Sequence, residues 1–162
     1  MPQSHSSVDV QSLNIAWPNC PTCETPRILI VEDEMLIADL IDDIVRGIGY
    51  AVSGKAHDLL SARQELGKRN FNAVLLDIGL DGQHNPELAD WLLEMDIPFA
   101  FVTGYDHPFE ARHDKVPLLQ KPFTVARLCD VMNMLVGSAL TRVARWPPIH
   151  TLPCRDHGLS KP

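Results

Sequence analysis

The sequence predicts an α/β fold: a doubly wound sheet of five parallel strands with helices on both faces. Three observations lead there. Short apolar, β-branched runs alternate with segments of helical period along residues 27–137. The central runs are continuously apolar rather than alternating, which marks strands buried on both faces. Right-handed crossovers between parallel strands then place helices on either side of the sheet.

Arg27-Ile28-Leu29-Ile30-Val31 reads as the first strand. In the following helix Leu36, Ile37, Leu40, Ile41, Ile44, Val45 and Ile48 recur at helical spacing as a broad apolar stripe, with Gly47 and Gly49 as its stop. Tyr50 to Ala56 is less apolar, as an edge strand would be. Asp58 can cap a helix that buries Leu59, Ala62 and Leu66. Phe71 to Asp77 is a second central strand. Asn85-Pro86-Glu87 starts a helix with a cap residue and a proline at the first position, and its inner face is Leu88, Leu92 and Met95. Ile97 to Thr103 and Val116 to Lys121 are the last two strands. Thr124 caps a final helix that turns Leu128, Val131, Met132, Leu135 and Val136 inward.

The chain has 162 residues, 45% of them hydrophobic and 22% charged, enough for one domain with tails. The division expected is a flexible tail over 1–25, a domain over 26–137, and a second tail over 138–162 without an output domain. Net charge is −7, which argues against a nucleic-acid-binding module and suits a protein that handles a cation. No apolar run reaches membrane-spanning length and residues 1–19 lack the features of a signal peptide, so the expected location is cytoplasmic. Cys20, Cys23, Cys129 and Cys154 are then expected to be reduced. Cys20, Cys23, Cys154 and His157 carry the donors of a Cys₃His zinc site. Their separation of about 130 residues is far from a zinc-finger spacing, and free thiols are the preferred reading. His57, His84, His107 and His113 read as solvated loop residues.

Ligand sites in such sheets lie at the carboxyl ends of the strands. There the sequence places Glu32-Asp33-Glu34, Asp77, Thr103-Gly104 and Lys121-Pro122. Singly, each is ordinary capping or turn chemistry. Jointly, they suit phosphoryl transfer. Clustered carboxylates repel unless a cation joins them, and Mg²⁺ favours a site of carboxylates and phosphate oxygens. Asp77 can attack phosphorus, while Lys121 and the Thr103 hydroxyl stabilise the charged oxygens.

The segments ILIVEDE (28–34), VLLDIGLDG (74–82), FVTG (101–104) and QKPF (120–123) resemble the receiver domains of two-component response regulators over residues 27–137. The wording FVTGY and LQKPF is similar to alphaproteobacterial receivers paired with HWE-type histidine kinases. The resemblance implies a flavodoxin-like strand order 2-1-3-4-5 and a cis Lys121–Pro122 bond. It also implies Asp77 as phosphoacceptor, Thr103 as switch hydroxyl and Lys121 as phosphate-sensing lysine. Glu32, Asp33, Asp77 and the Gly79 carbonyl would hold Mg²⁺. A sensor histidine kinase would be the donor, and the chain would be a phosphoacceptor rather than an enzyme, passing its signal to an unnamed protein partner.

Two departures stand out. Leu118 occupies the position where many receivers carry an aromatic switch residue, and Tyr105 is a candidate substitute. The segment between Thr103 and Lys121 is short and contains Pro108, so its helix should be short or irregular. These features leave room for a non-switching pseudo-receiver that binds a partner without phosphorylation. A phosphatase with an aspartyl nucleophile is disfavoured, because Met35 and Gly79 stand where its general acid would be.

Overall fold

The computed structural model describes residues 25–82, 86–104 and 111–143. Five parallel strands, β1 (Arg27–Val31), β2 (Ala51–Ala56), β3 (Ala73–Leu76), β4 (Phe99–Thr103) and β5 (Leu118–Gln120), form one sheet in the order 2-1-3-4-5. Among the described residues, four α-helices accompany them: α1 (Met35–Gly47), α2 (Leu59–Lys68), α3 (Pro86–Glu94) and α4 (Val125–Val143). The doubly wound fold expected from the sequence is therefore present, with its strand order.

The two faces follow from the period of two along each strand. Ile28, Ile30, Leu75, Ala100, Val102 and Leu119 face α1 and α4. Leu29, Val31, Val74, Leu76, Phe99 and Phe101 face the opposite way, toward α2 and α3. All four residues of β3 and all five of β4 are buried, which is why those runs lack alternation. β2 lies at an edge, and its first five residues are half-exposed. Its register against β1 slips between Ile28 and Leu29, leaving Ser53 as an extra residue, and the Ser53 hydroxyl donates to the Ile28 carbonyl at 3.2 Å.

The helix ends obey capping chemistry. Asp58 accepts the Ser61 N–H at 2.6 Å, and the Ser61 hydroxyl returns to the Asp58 N–H at 3.2 Å, a reciprocal capping box. Thr124 Oγ1 accepts the Arg127 N–H at 3.3 Å. All five residues expected on the inner face of α4 are buried.

Three details differ from the sequence reading. The apolar stripe of α1 is wider than its buried face: Ala38, Ile41 and Val45 are buried, whereas Leu36 is 86% exposed and Leu40 52%. A single helix packed on one side of a sheet covers only part of so broad a stripe. α4 runs through Val143, past the boundary expected at Gly137, because Ser138 to Val143 contain no helix breaker. β4 and β5 are shorter than expected because Pro98 and Pro117 stand just before them and cannot donate ladder hydrogen bonds. In the short segment between β4 and β5, the described residues hold one 3₁₀ turn, Ala111–His113, and no α-helix. Asn85, the expected cap of α3, lies outside the described residues.

Candidate phosphoacceptor site

The carboxyl ends of β1, β3, β4 and β5 bring the sequence-selected groups together. Glu32 follows β1, and its N–H donates to the Ala56 carbonyl at 2.9 Å, so the pairing with β2 continues one residue into the acidic segment. Asp77 follows β3, and its N–H donates to the Val31 carbonyl at 2.8 Å. The backbone ladder thus fixes both residues before their side chains make any contact. Glu32 is 1% exposed and Asp77 6%. One oxygen from each of Glu32, Asp33 and Asp77 lies within 4.8 Å of the others, a spacing that a single cation can bridge.

Lys121 projects into this cluster from just after β5. Its Nζ donates to Glu32 Oε1 at 2.8 Å and to Asp77 Oδ2 at 2.7 Å. It also lies 2.7 Å from Glu32 Oε2, an ion-pair contact without hydrogen-bond geometry, so that buried oxygen accepts no hydrogen bond. Three clustered carboxylates set against one ammonium leave negative charge unbalanced, and such a set of oxygens is the donor chemistry that a hard cation takes. The residues therefore fit Mg²⁺.

The electrostatics agree with this crowding. Burial raises the Glu32 carboxyl to about 7, with the nearby Asp77 charge adding and the Lys121 ammonium opposing. Burial alone would lower Lys121, but its bonds to Asp77 and Glu32 outweigh that and raise it.

The remaining predicted members are in place. Asp77 Oδ1 accepts the Gly79 N–H at 2.8 Å, which orients the carboxylate. The Gly79 carbonyl accepts the Gly82 N–H at 3.1 Å. Thr103, at the end of β4, is fully buried, and its carbonyl accepts the Lys121 N–H at 2.8 Å. The Lys121–Pro122 peptide is cis. Leu118 opens β5, half-buried against the α2/α3 face. Tyr105, Cys20, Cys23, Cys154, His157, His84 and His107 lie outside the described residues.

Two histidines are not the solvated loop residues that the sequence suggests. His57 Nδ1 lies 3.0 Å from the Glu32 carbonyl, tying the β2–α2 loop to the acidic segment. His113 is 3% exposed, with Nε2 2.9 Å from Asp90 Oδ1. Neither carries a local sequence signal; their partners lie 25 and 23 residues away.

An α/β fold of this order, with an acidic cluster and a lysine at its carboxyl edge, defines the class of protein. The family profile of the response regulator receiver domain matches residues 28–133, and the chain belongs to that family. Aerobic respiration control protein ArcA of Escherichia coli is 36% identical over 85 residues, covering 52% of this chain and 35% of ArcA. Phyllosphere-induced regulator PhyR of Methylorubrum extorquens is 32% identical over 112 residues, covering 66% of this chain and 42% of PhyR. The chain thus spans less than half of either curated relative. The solution structure of SdrG from Sphingomonas melonis is similar at 32% identity and a TM-score of 0.59, covering 72% of this chain and 97% of SdrG. Among the described residues, no helix is long and apolar enough to cross a membrane.

Proposed function

We propose that the chain accepts a phosphoryl group on Asp77 from a sensor histidine kinase in a Mg²⁺-dependent phosphorelay, and that acceptance changes a protein-binding surface. One observation carries this reading: Glu32, Asp33 and Asp77 converge within 4.8 Å, and the Lys121 ammonium bonds to Glu32 and Asp77. Glu32, Asp33, Asp77 and the Gly79 carbonyl would hold the ion, and bound Mg²⁺ would neutralise charge on the phosphoryl oxygens. An Asp77 oxygen attacks phosphorus, the phosphorus–nitrogen bond of a phosphohistidine breaks, and the imidazole leaves with the electron pair and takes a proton from solvent. Lys121, already bonded to Asp77, would pair with the new phosphoryl oxygens, and the Thr103 hydroxyl would donate to them. Met35, Leu36 and Leu40 are exposed on α1, immediately after the acidic segment, and offer an apolar surface where the donor docks. The likeness to PhyR and SdrG supports an alphaproteobacterial type of receiver, and the FVTGY and LQKPF wording supports a kinase of the HWE type as its donor.

The test is incubation with Mg²⁺ and a small phosphodonor such as acetyl phosphate. The expected product is an acid-labile acyl phosphate that Asp77→Asn does not form; equal labelling of that variant refutes the assignment.

Leu118 favours one second reading, a pseudo-receiver that binds its partner without switching. Under that reading Mg²⁺ and phosphodonor leave the spectrum of the chain unchanged.

A further inference from the structure

The pocket chemistry makes no use of the buried His113. Its Nε2 lies 2.9 Å from Asp90 Oδ1, and Nη2 of the adjacent Arg112 lies 2.7 Å from Asp90 Oδ2. Asp90 belongs to α3, so two consecutive residues ahead of β5 grip both oxygens of one carboxylate on a different element. Such charge-assisted contacts are directional as well as strong. The His113 ring also packs edge-to-face on Phe101, with centroids 5.7 Å apart and planes at 85°, and Phe101 packs likewise on Phe99 at 5.2 Å.

These contacts sit at the point where β5 begins. The Val116 N–H donates to the His113 carbonyl at 2.9 Å, closing the turn. The next residue, Pro117, accepts the Phe101 N–H at 2.9 Å, just ahead of the first paired residues of β4 and β5. Three residues of pairing follow, Phe101 with Leu118 through Thr103 with Gln120, and then Lys121. So short an edge strand holds its register weakly by itself. The described part of the connection offers no α-helix whose packed face would hold it.

We propose that Asp90, Arg112 and His113 form a clasp that sets the register of β5 on β4 and thereby fixes how far Lys121 reaches into the acidic pocket. They are positioning residues, tying the surface of α3 to the phosphate-sensing lysine. The inference rests on the proposed function only for the identity of the pocket's ligand.

Amide hydrogen exchange in the full chain tests the clasp. Asp90→Ala and His113→Ala should each speed exchange at Val116 and Lys121 by about tenfold or more, while the β1 and β3 amides keep their wild-type rates. His113→Gln, whose side-chain amide can replace Nε2 as a donor, should stay within about twofold of wild type. Unchanged exchange in Asp90→Ala overturns the clasp, and acceleration throughout β1 and β3 reduces it to general stability. Mg²⁺ titration reads the pocket end: Asp90→Ala should shift Mg²⁺ affinity several-fold, because Lys121 no longer competes from a fixed position. Faster exchange with unchanged affinity overturns the link to Lys121. Failure of the wild-type chain to bind Mg²⁺ counts against the proposed function and also removes the pocket end of the clasp, while the exchange result still decides the register.

Discussion

Removing the charge of Glu32 should change the pH dependence of folding by a calculable amount. Glu32 is 1% exposed, and its carboxyl is raised from 4.5 to about 7, chiefly by burial. Between those values the folded chain binds a proton that the unfolded chain has released, so stability falls as pH rises. The contribution is fully present below pH 4.5 and is lost as pH passes through about 7. A shift from 4.5 to about 7 corresponds to roughly 3 kcal/mol at 1.36 kcal/mol per unit. Because the group is buried, little of this is lost to solvent screening. The assay is urea unfolding from pH 5 to pH 8 in EDTA, comparing wild type with Glu32→Gln. Wild type should lose roughly 2–3 kcal/mol more than the variant across that range, since part of the loss falls below pH 5. Saturating Mg²⁺ should abolish most of the difference, because a bound cation favours the ionised carboxylate. Parallel pH profiles for the two proteins in EDTA would refute the argument.

Other perturbations separate pocket, core and surface. Lys121→Met removes the ammonium that competes for Glu32 and Asp77, so Mg²⁺ should bind more tightly by calorimetry while the phosphodonor-induced spectral change is lost. Leu75→Ala opens a cavity in a fully buried strand and should cost about 2–5 kcal/mol in denaturant unfolding. Leu36→Asp alters a residue that is 86% exposed, so stability should move by less than about 0.5 kcal/mol, whereas the rate of phosphotransfer from a kinase should fall. Thr124→Ala removes the hydroxyl cap of α4 and should cost about 1 kcal/mol, measurable as a lowered Tm.

The strands were legible because burial on both faces leaves a local mark: AVLL and FAFV are apolar throughout. The pocket was legible for a topological reason. Glu32, Asp33, Asp77, Thr103 and Lys121 all follow or end strands, and parallel strands deliver such residues to one edge. What stayed hidden depends on partners distant in sequence. The exposure of Leu36 and Leu40 follows from which side of α1 meets the sheet, a choice that the stripe of seven apolar residues does not make. The burial of His113 depends on Asp90, 23 residues away, and on Phe101. Gly137 and the later prolines point to an earlier end for α4 than Val143, but one glycine inside a helix costs only about 1 kcal/mol and does not stop it.

The extra residue at Ser53 also bears on how the chain behaves at high concentration. An edge strand with a free, regular row of amides and carbonyls is a template on which another molecule's strand can grow. Here the β2 edge is bent by that insertion and carries Lys55, held by Asp39 at 2.6 Å and by Asp42 at 3.3 Å. The opposite edge, β5, is only three residues long and is preceded by a proline. Among the described residues, neither border of the sheet presents a long flat ladder. The sheet thus gives an incoming strand little purchase at either border, which holds back aggregation of the native state.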